Sequence, residues 1–284
     1  MAANEDMIHY WNEIAGTKWV ANQDRLDRLM APLTDALLTA AAPVPGELVV
    51  DVGCGCGDTT LRLASLGAAG YIRAIDISRP MLAHAEARRA ALRGEFAHIQ
   101  WIAGDAMTYR FPPVSSLMVS RFGVMFFDDR PRAFANLRSA LVEGGRFAFL
   151  CWRRRSEVEW TQAPLDWIAP VLPTPDETPG EVGPFALADA DATIALLTEA
   201  GFKDVAAEKI DCPLVMGQGA DDAQAVEDAV AMLVDAGPAA GLMRDAEPEQ
   251  RKAAVALLRD GLAGRAQDGR VLLEGACWLY SGRA

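Results

Sequence analysis

Two rhythms of apolar residues run through the middle of this chain. Between Gly46 and about Trp152, short runs rich in β-branched residues alternate with amphipathic stretches of helical period. The runs predict strands over 47–53 (ELVVDVG), 71–77 (YIRAIDI), 98–104 (HIQWIAG), 116–122 (SLMVSRF) and 146–152 (RFAFLCW). The intervening stretches predict helices over 58–70, 79–94 and 128–145. The last of these has Asp128 or Asp129 at its N-cap, Pro131 in its first turn and Gly144 beyond its end. Strands that are apolar on both faces and alternate with helices form a parallel sheet covered on both sides. Residues 4–42 read as largely helical and carry Tyr10, Trp11 and Trp19, whereas 153–186 are rich in proline and tryptophan and read as irregular cover. A helix over 187–202, a strand over 205–215, two amphipathic helices (221–237 and 247–264) and a last strand over 270–282 complete the pattern.

Composition narrows the partners. Of 284 residues, 51% are hydrophobic and 23% charged, so a large buried core is expected. The net charge of −12 disfavours nucleic acid, whose binding leaves a basic footprint. The one compact basic run, Arg153-Arg154-Arg155, reads as a solvated loop end. No signal-peptide pattern stands at the start, and no apolar run approaches the length of a membrane span, so a cytoplasmic protein without a membrane partner is expected. The five cysteines (Cys54, Cys56, Cys151, Cys212, Cys277) are scattered and odd in number, which suits reduced thiols.

The stretch LVVDVGCGCGDTTLRL, residues 48–63, concentrates the candidate chemistry. Cys54 and Cys56 are one residue apart and have no second pair, and His9, His84 and His98 show no ligand spacing, so no metal is expected. A phosphate-binding loop needs Lys then Ser or Thr after its last glycine, where this chain has Asp58 and Thr59. The glycines stand as Gly53-x-Gly55-x-Gly57, a spacing different from the dinucleotide fingerprint, and Asp51 precedes them. A carboxylate there repels a pyrophosphate and suits a cationic ligand. Asp76 at the tip of the second strand is placed to accept hydrogen bonds from ribose hydroxyls. Asp105 and Ala106 at the third strand's end could meet an adenine edge.

In this order, VVDVGCGCG, AIDIS…ML, AGDA, SRFGVMFF and LVEGGRFAFLCW resemble the class I S-adenosylmethionine-dependent methyltransferases, especially the bacterial small-molecule enzymes related to the ubiquinone and menaquinone pathway. The resemblance is close over about 45–152, looser through LLTEAGFKDV, and extends to the leading YWNEIAGTKWV. It implies a Rossmann-like three-layer α/β sandwich with a mostly parallel seven-stranded sheet, an antiparallel last strand and a helical cover. The implied division is a helical lead-in or lid over 1–45 and a catalytic domain over 46–284, with cover segments near 153–186 and 217–268. It also implies S-adenosyl-L-methionine as cofactor. Gly53, Cys54, Gly55 and Gly57 would admit its methionine end, and Asp51 would support its amino group, often through water. Asp76 with Ile77 would hold the ribose, Met81 would pack on adenine, and Gly104, Asp105 and Ala106 would meet the adenine edge. Ser120 and Arg121 would lie beside the transferable methyl.

His9 and Arg121 are the candidates for catalytic roles, His9 as a general base from a segment that folds over the site; Arg121 has the alternative of an ion pair with Asp128 or Asp129. Phe122, Met125, Phe126, Trp152, Trp160 and Trp167 suggest a pocket for a small, partly apolar acceptor. The Asn/Asp-Pro-Pro-aromatic run of enzymes that methylate amide or nucleobase nitrogens is missing. The expected activity is methyl transfer by in-line displacement, assisted by alignment of the reactants, in a monomer or homodimer. Lyase or cyclase chemistry with the same cofactor, or binding without turnover, remain the alternatives.

Overall fold

The computed structural model describes residues 4–67, 69–92, 98–174, 176 and 181–284. Parts of the expected helices 58–70 and 79–94 and of the cover 153–186 lie outside the described residues. The chain begins with α1 (Glu5–His9), a π-helical turn at Tyr10–Ile14, α2 (Ala15–Ala21) and α3 (Gln23–Ala41). The alternating core follows: β1 (Glu47–Val52), α4 (Asp58–Ser65), β2 (Ala69–Asp76), α5 (Arg79–Ala91), β3 (Ile99–Ala103), β4 (Ser115–Arg121), α6 (Arg130–Ser139) and β5 (Leu141–Trp152). Then come α7 (Glu159–Ile168), α8 (Ala190–Glu199), β6 (Lys203–Gln218), α9 (Asp222–Asp235), α10 (Ala240–Asp245), α11 (Pro248–Ala263), β7 (Ala266–Gln267) and β8 (Arg270–Arg283).

The sheet order is β3-β2-β1-β4-β5-β8-β6, with the two-residue β7 paired to β8. β1 to β5 pair in parallel, and β8 runs antiparallel to both β5 and β6. This is a mixed, mostly parallel Rossmann-like sheet flanked by helices. The helix expected over 58–70 stops at Ser65: Gly67 takes a φ of 63°, and Gly70 is already strand, close against the Gly46 backbone. β5 starts at Leu141, before the expected 146, because the chain passes into it through Gly144 at φ 75° and the neighbouring Gly145. Asp129 is the N-cap of α6 and accepts from the Arg132 N–H at 3.1 Å. A short helix, α10, stands between the two expected helices.

The basic run is a solvated loop end only in part: Arg154 is exposed, but Arg153 is not. Arg153 is buried, pairs with Glu157 and with Asp211, and lies over the Trp278 ring. No helix among the described residues is long and apolar enough to cross a membrane.

Strand order reverses between β1 and β4, and open parallel sheets bind ligands at such a reversal. There two backbones touch. A Cβ on Gly123 would stand 2.5 Å from the Val52 carbonyl oxygen and 2.7 Å from the Gly53 Cα. Gly53 takes a φ of 70°, and its amide and that of Cys54 both donate to the Ile75 carbonyl (2.9 and 3.2 Å). Ser120 fixes the other side: its hydroxyl donates to the Val52 carbonyl at 2.7 Å and accepts from the Gly123 N–H at 3.2 Å. Beneath the turn, Asp51 is buried and accepts from the Thr60 hydroxyl at 2.5 Å, tying β1 to α4.

Two predictions follow from this junction. Gly123 has an ordinary φ of −83°, so Gly123→Ala tests the close approach free of backbone strain. It is expected to lower unfolding stability by about 1–3 kcal/mol in urea titrations. Gly241→Ala, where nothing lies within 4 Å, should stay within about 0.5 kcal/mol of the parent. Equal stability of the two variants would contradict the contact.

The second concerns Asp51, whose carboxyl burial pushes from 3.8 up to about 7. Between those values the native chain holds a proton that the unfolded chain has released. The residue's contribution to stability therefore falls as pH rises from about 4 to about 7, and is flat above. Asp51→Asn cannot titrate, so its stability relative to the parent should rise across that window when urea midpoints are compared. A difference independent of pH would refute this.

Candidate functional site

A cavity of about 750 Å³ opens over the tips of the parallel strands. Neighbouring strands stand about 4.8 Å apart, so the tips of β3 and β5 are separated by about 19 Å along the sheet. The cavity is correspondingly long. Its floor includes Gly53, Cys54 and Gly55 from β1, Asp76 and Ile77 from β2, Gly104, Asp105 and Ala106 from β3, and Arg121 and Phe122 from β4.

The carboxylate of Asp76 is fixed by two backbone amides, Gly55 N–H to Oδ2 and Ser78 N–H to Oδ1, both at 2.8 Å. An ionised carboxylate has about four acceptor sites, so two remain for a ligand. Burial raises its pKa and those amide bonds lower it, with burial prevailing. Asp105 is half-buried, accepts from the Met107 N–H at 2.9 Å, and is likewise raised by burial. Asn4, from the lead-in, lines the same cavity; its side-chain Oδ1 is buried and has no hydrogen-bond partner among the described residues. Met81 is buried against the floor, with its methyl 2.8 Å from where a Cβ on Gly55 would stand.

Other expected residues occupy different places. Asp51 and Ser120 are buried beneath the turn in the bonds described above and do not line the cavity. Gly57 does not line it either; the space its missing side chain leaves is filled by Trp101 and Ala85. The glycine turn thus serves packing within the chain as much as access from outside. Arg121 faces the cavity, but it pairs with Asp58 at 2.7 Å and donates to the Thr34 hydroxyl at 2.6 Å. Its partner is neither Asp128 nor Asp129. His9 is exposed on α1 and stands outside the lining. Of the expected pocket residues, Phe122, Met125, Phe126, Trp152 and Trp160 line the cavity, while Trp167 packs against Gly261 of α11.

The cysteines are all free. Cys54 and Cys56 are buried; burial pushes the Cys56 thiol up to about 12 and that of Cys54 well above its ordinary value, so both are held as thiols. Among the described residues no group of three or more His, Cys, Asp and Glu could hold a metal ion.

The roof comes from the lead-in and from parts of the segments 153–186 and 217–268. Tyr10, Trp11, Ile14, Lys18 and Trp19 reach over from the lead-in, where Trp11 meets Phe126 edge-on at 5.3 Å. The Trp11 carbonyl accepts from the Ser78 hydroxyl at 2.9 Å, which seats the roof on the start of α5. Val182–Phe185 and the α9–α10 junction from Asp235 to Arg244 close the far end. On α3, Asp27 pairs with Arg88 at 2.8 Å, and Arg88 also donates to the Cys56 carbonyl at 2.7 Å. Asp27 and Asp58 therefore carry arginine partners, whereas the carboxylates of Asp76 and Asp105 have no arginine or lysine ion pair among the described residues.

Residues 49–145 match the family model described as a methyltransferase domain. The chain is 35% identical over 129 residues to aklanonic acid methyltransferase DauC of a Streptomyces species, covering 44% of this chain and 58% of that protein. It is 29% identical over 134 residues to the ubiquinone/menaquinone biosynthesis C-methyltransferase UbiE of a Ruegeria species, covering 46% of this chain and 50% of that one. The chain thus spans half to three-fifths of the length of these curated relatives. Among solved structures, phosphoethanolamine N-methyltransferase 2 of Haemonchus contortus, in complex with S-adenosyl-L-methionine, shares the fold with a TM-score of 0.54 at 16% identity, over 89% of this chain and 52% of that one. Sheet order, the glycine turn with its strand-tip acids, and the match over residues 49–145 together make this chain similar to proteins that carry a methyltransferase domain.

Proposed function

We propose that the chain transfers a methyl group from S-adenosylmethionine to a small, partly apolar molecule. The observation that carries this reading is Asp76. Its carboxylate is oriented by backbone amides at the tip of β2, lines the cavity, and keeps acceptor capacity for ligand hydroxyls. One strand further along, Asp105 and Ala106 offer an edge for adenine, with Met81 and Ile77 as its apolar bed. The unpaired Oδ1 of Asn4 supports the same fit, since a buried acceptor beside Asp105 suits the exocyclic amino group of adenine.

Acids without arginine partners along this floor favour a nucleoside that carries positive charge and no phosphate. S-Adenosylmethionine supplies the methyl group on a positively charged sulfur that leaves as a neutral thioether. The chain's own contribution is then alignment and exclusion of water. The roof from the lead-in, seated by Ser78 on Trp11, covers the floor, and proximity and orientation of this kind supply about 7–11 kcal/mol. Neither candidate for a catalytic group supports a proton-transfer role: His9 stands outside the cavity, and the guanidinium of Arg121 is held by Asp58 and Thr34. The wall of Phe122, Phe126, Trp152 and Trp160 suits an acceptor with substantial apolar surface. The relatives named as an aklanonic acid methyltransferase and as a C-methyltransferase of ubiquinone/menaquinone biosynthesis support a small organic acceptor.

The test is calorimetry with S-adenosylhomocysteine, joined to its release from S-adenosylmethionine across a panel of phenols, carboxylic acids, amines and thiols. Asp76→Ala should weaken binding of S-adenosylhomocysteine on the order of 100-fold, as expected for losing two hydrogen bonds to a charged acceptor. The same affinity in parent and variant, or binding of NAD in place of S-adenosylhomocysteine, would refute the reading.

A further inference from the structure

Ser78 stands at the N-cap of α5 in extended backbone, where a serine hydroxyl ordinarily accepts from an amide of the first turn. It makes no such bond among the described residues. The hydroxyl donates instead to the Trp11 carbonyl, and the first amide of the helix is capped from 67 residues away, by Oδ1 of Asn12 accepting from the Arg79 N–H at 3.0 Å. Asn12 sits in the π-helical turn of the lead-in, a kind of turn that recurs at functional sites. Its Nδ2 donates to the Ile77 carbonyl at 3.0 Å and to the Ile8 carbonyl at 2.7 Å. One side-chain amide thus spans Ile77 and Arg79, the two neighbours of Ser78. Gly16 allows the approach: a Cβ there would overlap the Trp11 carbonyl oxygen and stand 2.6 Å from the Ser78 hydroxyl.

The same three residues orient the nucleoside floor. The Ser78 N–H donates to Oδ1 of Asp76 at 2.8 Å, while the Gly55 N–H, from the glycine turn, holds Oδ2. Asp76 and Ile77 line the cavity; Asn12 does not. The lead-in therefore reaches Asp76 from outside the cavity, through the peptide that carries the Ser78 amide. A roof needs only a place to rest on α5. This one rests on the stretch that aims the carboxylate, and it takes over the capping that Ser78 gives up.

We propose that Asn12 is a positioning residue for the nucleoside: by bracketing Ser78 it fixes the amide that holds Asp76, so the seating of the lead-in sets cofactor affinity. This rests on the methyl-transfer reading and assigns part of its cofactor binding to the lead-in. The coupling runs both ways, as linkage requires. A nucleoside whose hydroxyls bear on Asp76 steadies the same stretch and holds the roof down.

The experiment is a double-mutant cycle read by calorimetry with S-adenosylhomocysteine. Asn12→Ala should weaken binding about tenfold in the parent, as expected for losing bonds that align a charged acceptor. In an Asp76→Ala background the same substitution should change affinity less than about twofold, because its effect passes through the missing carboxylate. A purely structural role, or one through the roof alone, gives the same factor in both backgrounds. That result would overturn the proposal, as would an Asn12→Ala chain that binds like the parent. Hydrogen exchange on the parent decides where a variant does not fold. Saturating S-adenosylhomocysteine should slow the Arg79 amide, which lies outside the cavity lining, more than the amides of α11; equal slowing would overturn the coupling. A parent that does not bind S-adenosylhomocysteine refutes methyl transfer itself, whereas one that binds it with equal factors refutes only the role of Asn12.

Discussion

The backbone of Gly123 rests on Val52 and Gly53, and the site is arranged around that contact. It lies where strand order turns from β1 to β4, so it fixes the relation between the two halves of the sheet. On one side it holds the glycine turn against Ile75, which aims the Gly55 amide at Asp76. On the other it ends β4 tightly enough that Phe122 is turned into the left-handed region and stacked on Trp152. A side chain at Gly123 would press on the Val52 carbonyl and the Gly53 backbone. Ser120, which bonds to both Val52 and Gly123, is the clasp of this junction.

Charge completes the division. Two cavity-lining acids beside α3 are paired with arginines, Asp27 with Arg88 and Asp58 with Arg121, and these pairs brace that side of the turn. Asp76 and Asp105 are instead held by backbone amides, which orient a carboxylate without cancelling its charge. Among acids that look alike in sequence and line one cavity, some thus receive arginine partners and others only backbone amides. Asp51 is a third case, sealed beneath the turn on Thr60 and protonated through much of the acidic range.

How much of this was legible depended on distance along the chain. The β1–α4 turn, Asp76 and Asp105 are local features of strand ends, and their placement followed from the alternation of strands and helices. A strand end does not, however, reveal which way a side chain points. Asp51 and Ser120 sit at such ends and face the packed layers, not the cavity. Partners far apart in sequence were harder still: Asp58 for Arg121, Asp211 for Arg153, and Gly261 for Trp167 arise only when the chain folds. The aromatic residues of the lead-in were visible as such, but their role as a roof depends on the Ser78–Trp11 bond, which no periodicity signals. Trp160 was visible as a pocket candidate, while its unpaired N–H belongs to the folded chain alone.

The most direct test of the central claim is a crystal structure of the chain grown with S-adenosylhomocysteine. The account predicts both ribose hydroxyls on the Asp76 carboxylate, adenine beside Asp105 and Ala106, and the sulfur directed toward the Gly53–Gly123 junction. A nucleoside seated elsewhere, or one whose ribose leaves Asp76 untouched, would contradict it.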